Sequence, residues 1–270
     1  MKPRPFTYVR AESFAEAVDA LAHYGERARV LAGGQTLIAM LNLRLVEADA
    51  IIDISRLKEL SKIEVKGNVL EIGAAVTQNR LLAWPDLSTR AALLAQMLPF
   101  VGHFQTRNRG TVCGSLAHAD PSSEIPLALA LLGGSVVLES KRGQRVLTAN
   151  AFQTGILSTA RAGDELVVAA RFPLGKGKSA FHETARRHGD FAIVSVGAIH
   201  AGDKIRLGFG GVSGRPFVTD IPAGDAGKVA DRLEEIVWQF DGYEDQHASK
   251  RMRRDLVRRM TPLVISELLS

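Results

Sequence analysis

The sequence predicts an α+β protein. Two α/β subdomains cover about residues 1–57 and 58–175, and a smaller part over 176–270 holds a three-stranded antiparallel sheet with helices. Three observations carry this. In the first subdomain an amphipathic helical stretch lies among short apolar runs, the pattern of a small parallel sheet with crossover helices. From Leu60 onward the apolar runs come in pairs around turn residues, the pattern of antiparallel hairpins. Pro173-Leu174-Gly175-Lys176-Gly177-Lys178 is short, flexible and basic, and three more strand patterns follow it.

Taken in order, Ser13-Phe14-Ala15-Glu16 fits a capping box. Phe14, Ala17, Val18 and Leu21 then share one helical face, and Gly25 stops the helix. Arg29–Ala32 is a strand feeding Gly33-Gly34, after which Leu37–Leu45 resumes an apolar pattern. Ala50–Ile54 is apolar enough to be a strand buried on both faces. Ile63–Val65 and Val69–Ile72 flank Gly67-Asn68 as a hairpin. Thr77 caps a short helix that ends before Pro85, and Ser88–Leu98 forms one stronger helix. Arg107–Pro121 is a loop, and Pro126–Leu132 is a helix with Pro126 near its start. Ser135–Ser140 and Arg145–Thr148 pair around Lys141–Gln144, and Glu165–Phe172 adds a strand. Lys58–Phe172 is therefore expected to be an antiparallel sheet with helices on one side. In the last part Ser179–Arg186, Ile193–Ala201 and Ile205–Gly210 are strands, with a turn at Gly202-Asp203. Helices follow over about Gly227–Phe240 and His247–Met260.

At 270 residues and 46% hydrophobic composition the chain can bury a large core. No apolar run is long enough to span a bilayer. Met1-Lys2-Pro3-Arg4-Pro5 is followed by no apolar segment, so no signal peptide is expected and a cytoplasmic location fits. Cys113 stands alone, which excludes an internal disulfide and an iron–sulfur cluster held by four cysteines of this chain. The net charge of +5 raises nucleic-acid binding as an alternative. The surplus concentrates in Lys250–Arg259, where six Lys or Arg residues interleave with Met252, Leu256 and Met260 at helical spacing. That pattern fits a solvated or partner-facing side of a docked helix better than a base-stacking surface. No P-loop, HExxH or Gly-x-Ser-x-Gly pattern occurs, and His182 and His188 lack metal-ligand spacing. Gly208–Gly214, closed by Pro216, reads as a structural turn. His118 beside Asp120 fits either acid–base work or a loop histidine with one hydrogen bond.

Two small, donor-rich stretches stand out. In Val30–Thr36 a strand end meets Gly33 and Gly34, which turn the backbone with no Cβ in the way. Such a turn points free N–H groups at one spot, and a following helix start adds partial positive charge. The combination suits phosphate, although a strand followed by Gly-Gly also makes plain tight turns. The second stretch, within Arg107–Pro121, holds Arg109-Gly110-Thr111-Val112-Cys113-Gly114-Ser115. Together the two could close on a diphosphate from two sides.

Both stretches resemble one family. Ala32-Gly33-Gly34-Gln35-Thr36 is similar to the first flavin loop of the FAD-binding subunit of the molybdenum hydroxylases, which include carbon monoxide dehydrogenase and the xanthine dehydrogenases. Arg109–Pro121, ending Leu116-Ala117-His118-Ala119-Asp120-Pro121, is similar to its second loop. Asn42–Leu45, Ile52–Ile54, Ile72–Ala74, Glu124–Pro126 and Gly189–Phe191 also match words of that family, so the resemblance covers essentially the whole chain. It implies a vanillyl-alcohol-oxidase-type (PCMH-type) FAD-binding domain over 1–175 and a C-terminal sheet-and-helix domain over 176–270. It implies noncovalent FAD, with Ala32, Gly33, Gly34, Gln35, Thr36, Leu37 and Ile38 on the pyrophosphate and Thr111, Val112, Cys113, Gly114 and Ser115 approaching from the opposite side. It further implies that Asp120 and Glu124 accept from ribityl or ribose hydroxyls. Val101 and either Leu166 or Val167 would give apolar contacts, and Asp190 and Phe191 would lie beside the isoalloxazine. From the residues alone, Glu124 also fits a helix-start charge and Phe191 a core aromatic. Two positions depart from the family. Cys113 replaces the first glycine of a Gly-Gly pair, and His182 stands where the xanthine dehydrogenases carry lysine.

The function so implied is electron transfer in a heterotrimer. A large subunit would hold the molybdenum cofactor, a small subunit two 2Fe–2S clusters, and this chain would pass their electrons through FAD to an acceptor. No catalytic residue and no metal ligand is expected here. A dimer of heterotrimers is the simplest assembly, with no nucleic acid and no membrane span. The alternative is a self-contained flavin oxidase or reductase of the same fold, which would need a base that the sequence does not offer.

Overall fold

The computed structural model describes residues 2–175 and 177–270. Met1 and Lys176, which fall in the chain start and in the basic linker discussed above, lie outside the described residues.

The N-terminal segment runs β1 (Thr7–Arg10), α1 (Phe14–Tyr24), β2 (Ala28–Leu31), α2 (Leu37–Asn42) and β3 (Ala50–Asp53). Its three strands form a parallel sheet in the order β1-β3-β2. The Ser13 hydroxyl accepts from the Glu16 amide at the start of α1, and Gly25 ends the helix at φ +57°. Strand β1 escapes the pattern reading because it is an edge strand whose residues stay largely exposed.

The middle segment comprises β4 (Ile63–Lys66), β5 (Val69–Gly73), α3 (Gln78–Leu82), α4 (Leu87–Arg90), α5 (Ala92–Met97), α6 (Phe104–Arg109), α7 (Val112–His118), α8 (Glu124–Leu131), β6 (Ser135–Ser140), β7 (Gly143–Thr148), α9 (Ala149–Phe152), β8 (Gln153–Gly155), β9 (Ser158–Thr159) and β10 (Leu166–Pro173). Five strands build an antiparallel sheet in the order β4-β5-β10-β6-β7, and β8 and β9 form a separate small hairpin. The last strand in sequence, β10, takes the central place, so its apolar run is buried.

Two expectations need correction here. Ser88–Leu98 is not one helix. Ala91 leaves helical geometry at φ −137°, ψ 55°, and the break lets Leu87 of α4 and Leu93, Leu94 and Met97 of α5 all reach the core. Arg107–Pro121 is not one loop. It holds the end of α6 and all of α7, because Val112, Cys113 and Leu116 form a helical apolar face that buries.

The C-terminal segment has β11 (Ser179–Thr184), β12 (Val194–Ala201), β13 (Lys204–Gly210), β14 (Phe217–Pro222), α10 (Val229–Val237) and α11 (Lys250–Leu269). The sheet is four-stranded, not three-stranded, in simple sequence order. The fourth strand hides in the sequence between Pro216 and Pro222 and is mostly half-buried, yet Ile221 pairs opposite Ile205 and Asp220 binds Arg206 at 2.8 Å. Helix α11 also outruns its predicted end at Met260. Val264, Ile265 and Leu268 bury beyond Pro262 and hold the last turns in place.

Two hydrophobic cores result, one under the first two sheets and one between the last sheet and helices α10 and α11. Helix α8 couples them. Leu131 sits so close to Gly197 of β12 that a Cβ there would meet it at 2.8 Å. The basic stretch of α11 is not wholly a solvated face. Arg253 is only 2% exposed; it ion-pairs with Asp245 at 2.8 Å and donates to the carbonyls of Ile193 and Gly211. That guanidinium ties α11 to the chain just after Phe191. Arg254 stacks on Trp238 at 4.4 Å and Arg258 binds Glu234 at 2.7 Å, whereas Lys250, Arg251 and Arg259 stay exposed.

Candidate functional site

A cavity of about 510 Å³ opens where the turn after β2, helix α7, the first residue of α8, the start of β10 and the loop before β12 converge. Of the residues the resemblance implicates, all but Ile38, Val112 and Asp120 line it. Ile38 is largely exposed, and Val112 is fully buried in the first core. The Asp120 carboxylate accepts from the Ser122 amide at 2.8 Å, folding back on its own loop.

The floor is built by backbone contact. A Cβ on Gly33 would lie 2.3 Å from the Arg109 carbonyl oxygen and 2.7 Å from the Gly110 Cα. The two stretches therefore touch, and only glycine permits it. Gly34 holds φ +72°, a conformation that other residues rarely adopt. Thr36 precedes α2 without capping it, so its hydroxyl makes no bond to the helix. On the facing side the Thr111 hydroxyl accepts from the Gly114 amide at 3.0 Å and fixes the first turn of α7. The Ser115 and Ser123 hydroxyls meet at 3.1 Å.

Cys113 sits in that first turn with its sulfur turned down toward the Ile72 carbonyl, 3.5 Å away. Burial pushes its thiol up to about 12, so it stays a neutral thiol near pH 7 and is not a nucleophile. Cys113→Gly is expected to change flavin affinity by no more than about threefold, well under 1 kcal/mol. It should cost about 1–2 kcal/mol of stability, from lost helix propensity and a lost buried side chain. Flavin titration and urea unfolding check the two halves. A large loss of affinity would mean that the thiol takes part in binding.

Several cavity residues were not anticipated. Gln78 is 5% exposed and its Oε1 is buried with no partner. Only the structure reveals it: Gln78 and Leu81 are the buried positions of α3, so a polar residue occupies a core position. Arg29 and Arg161 also line the wall. Arg161 donates to the Glu165 and Ala162 carbonyls at 2.7 and 3.0 Å, and burial followed by the nearby Arg29 charge holds its guanidinium below its usual value. His118 is held below the usual histidine range by burial, against the opposing pull of Asp120.

Glu124, only 2% exposed, makes its side-chain hydrogen bond with Glu183 of β11. Both carboxyl groups are raised, Glu124 to about 7 and Glu183 to about 8, with burial the larger cause. Glu183 had no sequence signal; its neighbour His182 turns away and lies 2.7 Å from Glu267 of α11.

The loop carrying Asp190 and Phe191 forms the exposed side of the cavity. Gly189, at φ +85°, is pressed against the His103 ring, where a Cβ would come within 2.6 Å. The Asp190 amide donates to the Arg187 carbonyl at 3.2 Å, and the Ile193 amide to the Thr184 carbonyl at 2.7 Å. Phe191 lines the cavity yet is 55% exposed, so it is not a core aromatic.

These residues suit a flavin dinucleotide. A glycine floor that any Cβ would fill admits a phosphate close to backbone amides. Val101, Leu166 and Val167 give apolar walls, while the orphaned Gln78 oxygen and the uncommitted Thr36 hydroxyl await polar partners. Among the described residues no group of His, Cys, Asp and Glu is placed to hold a metal ion. No helix of the described residues is long and apolar enough to cross a membrane.

Comparison with known proteins agrees. Residues 4–175 match the family described as "FAD binding domain in molybdopterin dehydrogenase". The chain is 33% identical over 280 residues to the glyceraldehyde dehydrogenase medium chain of Sulfolobus acidocaldarius, covering 99% of each. Among solved structures, quinoline 2-oxidoreductase from Pseudomonas putida 86 superposes with a TM-score of 0.91 at 31% identity, covering 99% of this chain and 98% of that one. The Cu,Mo-containing CO dehydrogenase superposes with a TM-score of 0.90 at 26% identity, covering 99% of each. The chain belongs to the FAD-binding medium subunits of the molybdopterin dehydrogenases, the oxidoreductase family of the carbon monoxide and xanthine dehydrogenases.

Proposed function

We propose that this chain is the electron-transfer subunit of a cytoplasmic heterotrimeric molybdenum hydroxylase, taking electrons from 2Fe–2S clusters of a small subunit and passing them through noncovalent FAD to an external acceptor. The observation that carries this reading is the glycine floor at Gly33 and Gly110 lying in the same cavity as the exposed ring of Phe191. A diphosphate fits the first, and a flat redox ring reachable from outside fits the second.

In this reading Ala32–Ile38 and Thr111–Ser115 bind the pyrophosphate with backbone amides and the Thr36 hydroxyl. Glu124, with Asp120 at the edge, orients the sugar hydroxyls. Val101, Leu166 and Val167 exclude water from the cofactor, and Asp190 and Phe191 cover the redox-active edge. Bound FAD supplies the electron chemistry; the protein supplies position and environment. The chain divides into an FAD-binding domain over 1–175 and a C-terminal domain over 176–270. The molybdenum cofactor sits on a large partner subunit, in a dimer of heterotrimers. The exposed residues of α11 offer one docking face.

The cysteine on the cavity wall, Cys113, turns its sulfur toward the Ile72 carbonyl, and the wall's histidine, His118, is expected to stay unlinked to the flavin. The binding proposed is noncovalent. Acid precipitation of the purified yellow chain is expected to release all flavin to the supernatant, identified as FAD by its chromatographic mobility. Flavin that stays with the pellet, or the absence of a flavin spectrum from protein supplied with FAD, would overturn the reading.

A further inference from the structure

Glu124 opens α8, and Glu183 lies on β11 across the join between the two cores. Their carboxyl groups are hydrogen-bonded to each other. Two ionised carboxylates cannot do this, because neither carries a donor and like charges repel strongly in a buried site. One proton must lie between them. The other charge acting on Glu124 is Asp120, also an acid, so no cation relieves the pair. Glu183 Oε2 is buried and receives no hydrogen bond from any donor outside the pair.

The packed neighbours offer no substitute. His118, at the end of α7, is held below the usual histidine range by burial. His182 of β11 is engaged with Glu267 of α11. Thr184 of β11 meets the Met260 sulfur, and Ser179 meets the Gln96 amide of α5. Glu124 lines the cavity.

We propose that Glu183 is a positioning residue: it shares one proton with Glu124 and so fixes the Glu124 carboxyl on the cavity wall as the contact for a hydroxyl of the bound flavin nucleotide. The role toward flavin rests on the FAD reading above; the shared proton does not. Losing the proton leaves two like charges in contact, which pushes β11 away from α8 and loosens the grip on the hydroxyl chain.

The sign of the pH effect follows. In the unfolded chain both carboxyls titrate in the ordinary range, whereas the folded pair keeps a proton up to about pH 8. Over that interval the folded state binds more protons. The pair's contribution is thus fullest at the acid end and is lost as pH rises through about 8. Asp53, Glu71, Glu165, Asp220 and Asp245 are held low, so they act in the opposite sense and below the usual carboxylate range. His118 acts below the ordinary histidine value. Among these groups only the pair titrates at or above neutrality.

The test uses the full chain and Glu183→Gln, which keeps a donor but cannot ionise. FAD dissociation constants are measured by fluorescence across that window. Wild type is expected to weaken by about tenfold as the pair loses its proton, and Glu183→Gln to hold a flat profile. Infrared spectra of ligand-free protein near neutral pH should show a protonated-carboxyl stretch that Glu183→Gln removes. A Glu183→Gln profile that follows wild type, or a wild type without that stretch, would overturn the proposal. A chain with the stretch but no flavin affinity at any pH would sink the FAD reading and the positioning role together, and keep the shared proton. Should the variant not fold, the wild-type profile and stretch decide the matter.

Discussion

Gly33→Ala is expected to leave a folded protein that retains little FAD. Gly33 does not need a positive φ, so alanine brings no backbone strain of its own. The new Cβ instead meets the Arg109 carbonyl oxygen at 2.3 Å and the Gly110 Cα at 2.7 Å. Both are backbone atoms in a junction pinned by the Gln78 amide on the Gly110 carbonyl at 2.8 Å and by the Gly110 amide on the Thr106 carbonyl at 2.7 Å. Neither can swing aside as a flexible side chain would. The two stretches must part, and both lose their hold on the diphosphate. Overpacking of this kind costs about 1–3 kcal/mol. If that cost falls on the bound state, affinity drops by about tenfold to a hundredfold. Gly34→Val attacks the same floor differently, by forcing a β-branched residue to φ +72°. Flavin absorbance per chain after gel filtration, with circular dichroism to verify the fold, reads both variants. Full FAD occupancy in folded Gly33→Ala would mean that the pyrophosphate does not rest on this floor.

The second large effect concerns partners. The purified chain loaded with FAD is expected to show no substrate-dependent dye reduction, and turnover should appear when the molybdenum and iron–sulfur subunits are added. One cysteine cannot ligate an iron–sulfur cluster, and the described residues hold no metal-ligand group. In the proposed reading electrons reach the cavity from outside, past the half-exposed ring of Phe191. The assay follows dye reduction by the chain alone, by the partner pair alone and by the reconstituted complex. Full turnover by the chain alone would replace the electron-transfer reading with a self-contained flavoenzyme.

Much of the site was legible because its signals are short-range. Gly33-Gly34 after an apolar strand and Ser13 three residues before Glu16 each describe a few consecutive residues. Backbone sterics and capping decide such features locally. The hairpin at Gly67-Asn68 and the parallel β2–β3 pair were legible for the same reason. Two edge strands were not: β1 and β14 earn their place by pairing, and their own residues stay largely or partly exposed.

What the sequence alone determined was the α+β character, most of the elements, the glycine turn and the membership that the two motifs imply. The tertiary structure decided which groups meet across distance. It made Arg253 of a basic helix a buried strut behind Phe191, and it left the Gln78 oxygen without a partner in the cavity. It also pressed Glu124 against Glu183. No run of residues encodes those outcomes, because burial and pairing are properties of neighbours that the chain supplies from elsewhere. A carboxyl or a guanidinium acquires its charge state and its role only once packing has fixed what surrounds it.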